Sequence, residues 1–285
     1  MPVAEAPQGL SLSREETGGL SLTGRRAVVT GGTRGLGHAI ARKLCASGCD
    51  VVINYAHDDE SAGQACRNLA GLPGTVRAVK ADVCDPTALA RLVEDSHPAG
   101  SGLDIYVHNV AVFCPAATLA ASAEGVLREF SAAVLPLLGA APLLATRLRP
   151  GRGRVVAVSS NGAHRVVPRY VGLGAAKAAL ESTVRYLAVE LAPRAITVNA
   201  VATAKLAKHP VGGSDPASAD GNGDARAVPG DADDRAAAAV AARTPAGRLT
   251  RPDDVADVVA LLCTDEARWV HGQVITADGG FSLPA

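Results

Sequence analysis

The sequence is poor in aromatic residues: three Phe, one Trp and four Tyr make up 3% of its 285 residues. Few rings are available on which single-stranded nucleic acid could stack. It also lacks net charge, since 28 Lys and Arg balance 28 Asp and Glu. No broad electrostatic grip on nucleic acid or an anionic membrane is expected. No apolar run reaches the length needed to span a bilayer, and nothing at the N-terminus reads as a signal peptide. The six cysteines (Cys45, Cys49, Cys66, Cys84, Cys114 and Cys263) show no paired metal-ligand spacing. No metal site is expected, and they read as reduced thiols of a cytoplasmic protein. Cys45 and Cys49 stand four apart on a predicted helix, but no nearby histidine completes a ligand set.

What is present is apolar sequence, 48% of the chain, enough for one substantial core in a single α/β domain. Residues 1–22, rich in Gly, Ser and Glu, read as a flexible arm, and 23–285 as the domain. Arg25 to Thr30 is a short β-branched run followed by glycine punctuation. Ala39, Ile40 and Leu44 then recur at helical spacing, with Gly48 as a stop. Strand-like runs return at Val51 to Tyr55, Thr75 to Lys80, Leu103 to His108, Arg154 to Val158, Ile196 to Val201 and Gln273 to Thr276. Helical patterns separate them, among them one long helix carrying Pro136 and Pro142. About seven strands alternating with helices predict a doubly wound, Rossmann-like parallel sheet with helices on both faces.

One segment breaks the rhythm. Residues 208–234 are rich in Gly, Asp, Ala and Pro, with little to bury, and predict a mobile loop within 204–243. It reads either as a tolerated surface loop or as a lid over a substrate. Its position after a strand's C-terminal end favours the lid.

Thr30-Gly-Gly-Thr-Arg-Gly-Leu-Gly37 falls where a strand ends and a helix begins. Glycines there let Gly31, Thr33, Arg34, Gly35, Leu36 and Gly37 wrap a pyrophosphate at the positive end of the helix dipole. Asp82, beside Val83, is placed to accept from an adenine amino group or to cap the next helix. Asn109 is suited to holding the fourth strand's end open. The second strand ends in Asn54, Tyr55 and His57 without the carboxylate that would bind ribose hydroxyls, and Arg34 is available for a 2′-phosphate. NADPH is therefore preferred over NADH, with Asp58 and Asp59 just beyond as the counter-argument.

The glycine motif, Asp82-Val83, Ser159-Ser160, Tyr170 to Lys177 and Asp278-Gly-Gly280 occur in order, and together they resemble the short-chain dehydrogenase/reductase family from about Arg25 to Ser282. Members that reduce ketones carry a tyrosine four residues before the lysine, a helix asparagine and a serine. Here Lys177 and Ser160 match, Leu173 stands in the tyrosine's place, and the helix asparagine is missing. Tyr170, seven before Lys177, has the spacing of the family's enoyl-acyl-carrier-protein reductases. Arg185 to Leu191, Val198-Asn-Ala200 and Thr244 to Arg248 resemble their NADPH-dependent type III branch.

The resemblance implies that Tyr170 stabilises an enolate oxygen, that Lys177 holds the nicotinamide ribose, and that Ser160 assists or shapes the wall. Thr203 is a substitute donor where the family's Pro-Gly is replaced by Ala202-Thr203-Ala204. His108 and His164 titrate in the range of an acid but stand at no catalytic position of the family, and they read as packing or loop residues; Cys114, after the fourth strand, could line the pocket, with nothing nearby to activate its thiol. The implied activity is NADPH-dependent reduction of an enoyl thioester on acyl carrier protein or coenzyme A. Alternatives are a carbonyl reductase and a catalytically silent nucleotide-binding protein. Arg165, Arg169, Lys205 and Lys208 are candidates for a carrier protein or coenzyme A phosphates, and a homodimer or homotetramer is the family expectation.

Overall fold

A computed structural model of the chain describes residues 21–97, 100–207 and 232–283. Residues 1–20 of the proposed arm and 208–231 of the proposed loop lie outside the described residues. The strands are β1 (Arg26–Val29), β2 (Asp50–Tyr55), β3 (Val76–Lys80), β4 (Ile105–His108), β5 (Arg154–Ser160), β6 (Thr197–Thr203) and β7 (Val274–Thr276). They form one sheet in the order β3-β2-β1-β4-β5-β6-β7, parallel throughout. Strand order reverses between β1 and β4, so the crevice at their carboxyl ends is the place for a ligand.

The helices are α1 (Gly35–Ala46), α2 (Asp59–Leu69), α3 (Pro86–Asp95), α4 (Ala123–Ala133), α5 (Leu135–Arg147), α6 (Val171–Leu191), α7 (Ala232–Arg243) and α8 (Pro252–Leu262). Side chains alternate across each strand, and both faces are apolar. Val155 and Ala157 meet Leu137, Leu144, Leu180 and Val184 on one face. Val156 and Val158 join Ile40, Leu44, Val255 and Val259 in the core on the other. Near-continuous β-branched runs are what a sheet buried on both faces requires.

Two readings need correction. The single long helix is two helices that meet at Val134, the shared cap of α4 and α5. Pro136 lies in the first turn of α5, where a missing N–H removes no bond, and Pro142 alone stands in the interior. The span 123–147 is also long and apolar enough to cross a membrane by length and composition. Here Leu137, Ala140 and Leu144 are instead buried in the core against the sheet. At the end of the proposed 204–243 loop, residues 232–243 form α7, whose run of alanines favours helix.

The amino ends of the strands are tied by buried charges. Arg25 and Arg154 are almost fully buried and both reach the Asp265 carboxylate. They also donate to the carbonyls of Arg152, Thr264 and Gly153. Asp104, fully buried, accepts from the Arg26 backbone N–H at 2.8 Å and from Arg149 Nε at 2.6 Å. Asp265 is 56% exposed while both arginines are buried, so solvent screens the pairs and the guanidinium groups keep their carbonyl partners. Asp265→Ala should therefore destabilise the protein by about 1 kcal/mol, read as a lower urea midpoint. An unchanged midpoint would show that the carbonyls alone suffice for both guanidinium groups.

Candidate active site

The loop from Thr30 to Gly37 turns the chain from β1 into α1. Gly31 and Gly35 hold φ of 62° and 53°, the left-handed region that favours glycine. A Cβ on Gly37 would stand 2.0 Å from the Gly31 carbonyl oxygen, so only glycine allows the helix to start against the loop. Asn109, at the end of β4, clasps this turn. Its backbone N–H donates to Thr30 Oγ1 at 2.9 Å. Its Nδ2 donates to the carbonyls of Thr30 and Gly31 at 3.1 and 3.2 Å. The first turn of α1 has no acidic residue and no side-chain cap, which leaves its positive end for a ligand.

Beside the loop lies a cleft of about 370 Å³ lined by Gly31, Thr33, Arg34, Leu36, Gly37, Asn54, Tyr55, His57, Val83 and Asn109, together with Ala56, Asp58, Val110 and Ala111. Gly35 shapes the turn without lining it. Asn54 is buried, and its Nδ2 donates to the Ala81 carbonyl at 2.8 Å, so its amide fastens β2 to β3. Both acidic residues beyond β2 are engaged. Asp59 accepts from the Tyr55 hydroxyl and pairs with Lys80, each at 2.8 Å. Asp58 caps α2, accepting from the Ser61 N–H at 2.8 Å. The Ser61 hydrogen bonds hold its carboxyl below the usual range, and the charge of Arg34 adds to this. Asp82 is exposed and accepts from the Cys84 N–H at 2.9 Å. The cap of α3 is Asp85 instead.

On the other side of the crevice, Ser160 and Thr203 end β5 and β6 as register partners. Thr203 Oγ1 is buried without a hydrogen-bond partner among the described residues. Tyr170 is the residue at which α6 begins. Arg169, just before it, holds φ of 60°, costly for a non-glycine residue. The Tyr170 ring rests on Gly162, where a Cβ would come within 2.6 Å of it, and packs 5.3 Å from the Phe113 ring. Burial raises the Tyr170 pKa and the charge of Glu129 adds to this, while a hydrogen bond with the Ser160 side chain opposes it. The phenol is neutral at pH 7 and keeps its proton. Leu173 is buried in the core.

Lys177 lies two turns further along α6, almost fully buried, with Nζ donating to the Val158 carbonyl at 2.7 Å. Burial lowers its pKa to about 8, with Glu181 opposing. Tyr170 and Ser160 are thus brought together, and Lys177 is not among the charges that act on Tyr170. His108 is buried, its Nε2 2.8 Å from the Ala133 carbonyl, and burial pushes its pKa down to about 4. It is a neutral packing histidine. Four residues near the site were not singled out from sequence: Phe113, Gly162, Glu129 and Glu181. Glu129 Oε1 accepts from the Cys114 N–H at 2.8 Å, and its other oxygen occupies the space that a Cβ on Gly172 would need. His164 is more than a loop residue, because its Nε2 lies 2.5 Å from Glu181 Oε2.

A glycine cradle, an uncapped helix start and an orphaned hydroxyl across the crevice fit a dinucleotide whose pyrophosphate sits at α1 and whose reactive ring lies by Thr203. A family model described as enoyl-(acyl carrier protein) reductase matches residues 31–282. The 1-cyclohexenylcarbonyl-CoA reductase of Streptomyces collinus is 32% identical over 91% of this chain and 87% of its own length. Versicolorin reductase 1 of Aspergillus parasiticus is 32% identical over 91% and 97%. A short-chain dehydrogenase from Burkholderia cenocepacia, solved in complex with NADP, superimposes with a TM-score of 0.77 at 32% identity, covering 91% of this chain and 98% of its own.

Two outcomes follow from this geometry. Gly37→Ala forces its Cβ into the Gly31 carbonyl, so dinucleotide affinity by fluorescence titration should fall at least roughly tenfold, a loss of about 1.4 kcal/mol; retained affinity would show that the loop yields. Lys177 titrates near 8 when folded against 10.5 when free. Its burial therefore costs stability below pH 8, a penalty that fades as pH rises to 10.5. Measured against the parent, Lys177→Met should therefore lose ground as pH rises from 7 to 10, because the parent alone is relieved of this penalty. A difference in urea midpoints that does not change between pH 7 and 10 would contradict this.

Proposed function

Because this chain belongs to the short-chain dehydrogenase/reductase family of nicotinamide-dependent oxidoreductases, we propose that it uses NADPH to reduce the α,β double bond of an enoyl thioester. The observation that carries this reading is the position of the phenol. Leu173 closes the place next to Lys177 with a buried apolar side chain, and Tyr170 meets Ser160 from the start of α6. In ketone reduction the carbon that takes hydride and the oxygen that takes a proton are bonded to each other, so the acid must crowd the nicotinamide. In an enoyl thioester hydride goes to Cβ and charge gathers on the carbonyl oxygen three bonds away. An acid set back from the lysine suits the second case.

The bound cofactor supplies the hydride. Tyr170 donates a hydrogen bond to the thioester oxygen and stabilises the enolate, and a proton then reaches Cα to complete the saturated product. Ser160 orients the phenol, and the Phe113 ring shields it from water, where a fixed donor is strongest. Lys177 holds the ribose hydroxyls, and Thr203 Oγ1 offers a donor or acceptor to the carboxamide. Arg34 favours a 2′-phosphate, with Asp59 neutralised by Lys80.

Further parts of the proposal concern partners. Arg165 and Arg169 stand in the loop before α6. With Lys205 they are candidates to meet the phosphates of coenzyme A or an acyl-carrier arm; Lys208 lies outside the described residues. Exposed Leu135, Leu138, Tyr186 and Val189 on α5 and α6 supply an apolar face for a homodimer or homotetramer.

Nicotinamide absorbance with NADPH and crotonyl-CoA should fall, and with acetoacetyl-CoA it should not. The reverse result would replace this reading with carbonyl reduction, and silence on both would favour a nucleotide-binding protein without turnover. Tyr170→Phe should lower kcat by roughly 10²-fold and leave NADPH affinity unchanged. Unaltered turnover would remove the phenol from the mechanism.

A further inference from the structure

We propose that Glu181 is the buried counter-ion of Lys177, fixed by Ser159 and closed off from solvent by His164, and so acts as a positioning residue for the lysine that holds the cofactor ribose. Lys177 and Glu181 are four residues apart on α6, on the same face of the helix. That face is the buried one, shared with Leu173, Ala176, Leu180 and Val184. A carboxylate placed there costs stability unless both of its oxygens are engaged. Glu181 is 1% exposed. Ser159 Oγ donates to Oε1 at 2.6 Å, while Oε2 has no hydrogen-bond partner among the described residues and faces His164 Nε2 as an ion-pair contact at 2.5 Å.

Around Lys177 each packed element contributes one group. From β5 comes the Val158 carbonyl, from β4 the neutral His108, and from α6 the Glu181 carboxylate. Glu181, one turn along the same face, is the charge that opposes the effect of burial on the ammonium. Glu129 and Tyr170 belong to the adjoining wall, where Glu129 acts on the phenol. His164 is 62% exposed and forms the outer cover of the carboxylate. Ser159 and His164 come from the strand end and turn that also carry Ser160, so the three-residue link sets the lysine's charge and ties α6 to the substrate wall.

The proposal rests on Lys177 holding the ribose and not on the identity of the substrate. Its test reads cofactor binding without substrate, so it can fail or hold independently of enoyl reduction. NADPH dissociation constants are measured by nicotinamide fluorescence from pH 6 to 10. In the wild type affinity should weaken above a midpoint near 8, as Lys177 loses its proton. Glu181→Gln retains a Ser159 acceptor but removes the charge, and should move that midpoint down by about one pH unit. Glu181→Asp should restore part of the shift. His164→Gln, a partly exposed change that the fold should tolerate, should move the midpoint in the same direction by less, because water then screens the carboxylate.

A midpoint unchanged in both Glu181→Gln and His164→Gln would overturn the proposal. So would an affinity loss of the same factor at every pH in Glu181→Gln, which marks a structural strut. If Glu181→Gln does not fold, His164→Gln decides.

Discussion

The crevice depends on the clasp between Asn109 and the Thr30–Gly31 turn. Parallel strands β1 and β4 pair through only a few residues, and beyond Val107 no ladder bond holds their ends in register. Asn109 substitutes for that ladder with one bond to Thr30 Oγ1 and two to the turn's carbonyls. Those carbonyls are thereby engaged within the fold, and the uncapped start of α1 beside them stays open to an anion. The close approach at Gly37 follows from the same geometry, since the helix must begin against the clasped turn.

The two ends of the sheet treat buried charge differently. At the amino end Asp104 and Asp265 meet several guanidinium groups, and the arginines also reach carbonyls. These charges are met within the fold, although Thr197 Oγ1 and Arg147 Nε lack partners among the described residues. At the carboxyl end Lys177 has one carbonyl and a carboxylate four residues away, and Thr203 Oγ1 and His108 Nδ1 have no partner among the described residues. Hydrogen-bonding capacity left open in a buried place costs stability and is available to a ligand. The open hydroxyl of Thr203 agrees with the rule that such sheets bind at their carboxyl ends.

Most of the fold was legible because parallel strands buried on both faces read as β-branched runs, and Gly48, Pro86 and Pro252 punctuate the helices between them. The break at Val134 was not, because Leu135 to Leu138 continue the apolar pattern and only the backbone reveals the change of helix. The glycine cradle was readable, since its residues are contiguous. Side-chain commitments were not. Asn54 lines the cleft, but its amide turns to β3, and Asp82 bonds its own turn while Asp85 caps α3. Glu129 did leave a signal: its neighbours three and four residues away, Gly125, Val126, Ala132 and Ala133, are all small or apolar. Glu181, flanked at that spacing by Lys177 and Arg185, left none, and only the fold shows it buried.

Moving the phenol from the place of Leu173 to Tyr170 changes more than a distance. A tyrosine one turn into the helix is held by the helix itself, whereas Tyr170 stands at the helix start and must be held from outside. Its supports are correspondingly external: Gly162 beneath the ring, Phe113 beside it, Ser160 on the hydroxyl, and the left-handed Arg169 that sets its approach. Glu129 carries the arrangement across to α4 by holding the Cys114 backbone and filling the space left by Gly172. Of the glycines nearby, Gly162 clears room for the ring itself, Gly172 for the Glu129 carboxylate and Gly174 chiefly for the Gly162 carbonyl. A tyrosine that had merely drifted from its usual place would not need a glycine beneath its ring and a strained neighbour to seat it. The set of supports argues that position 170 is where this site requires its hydroxyl.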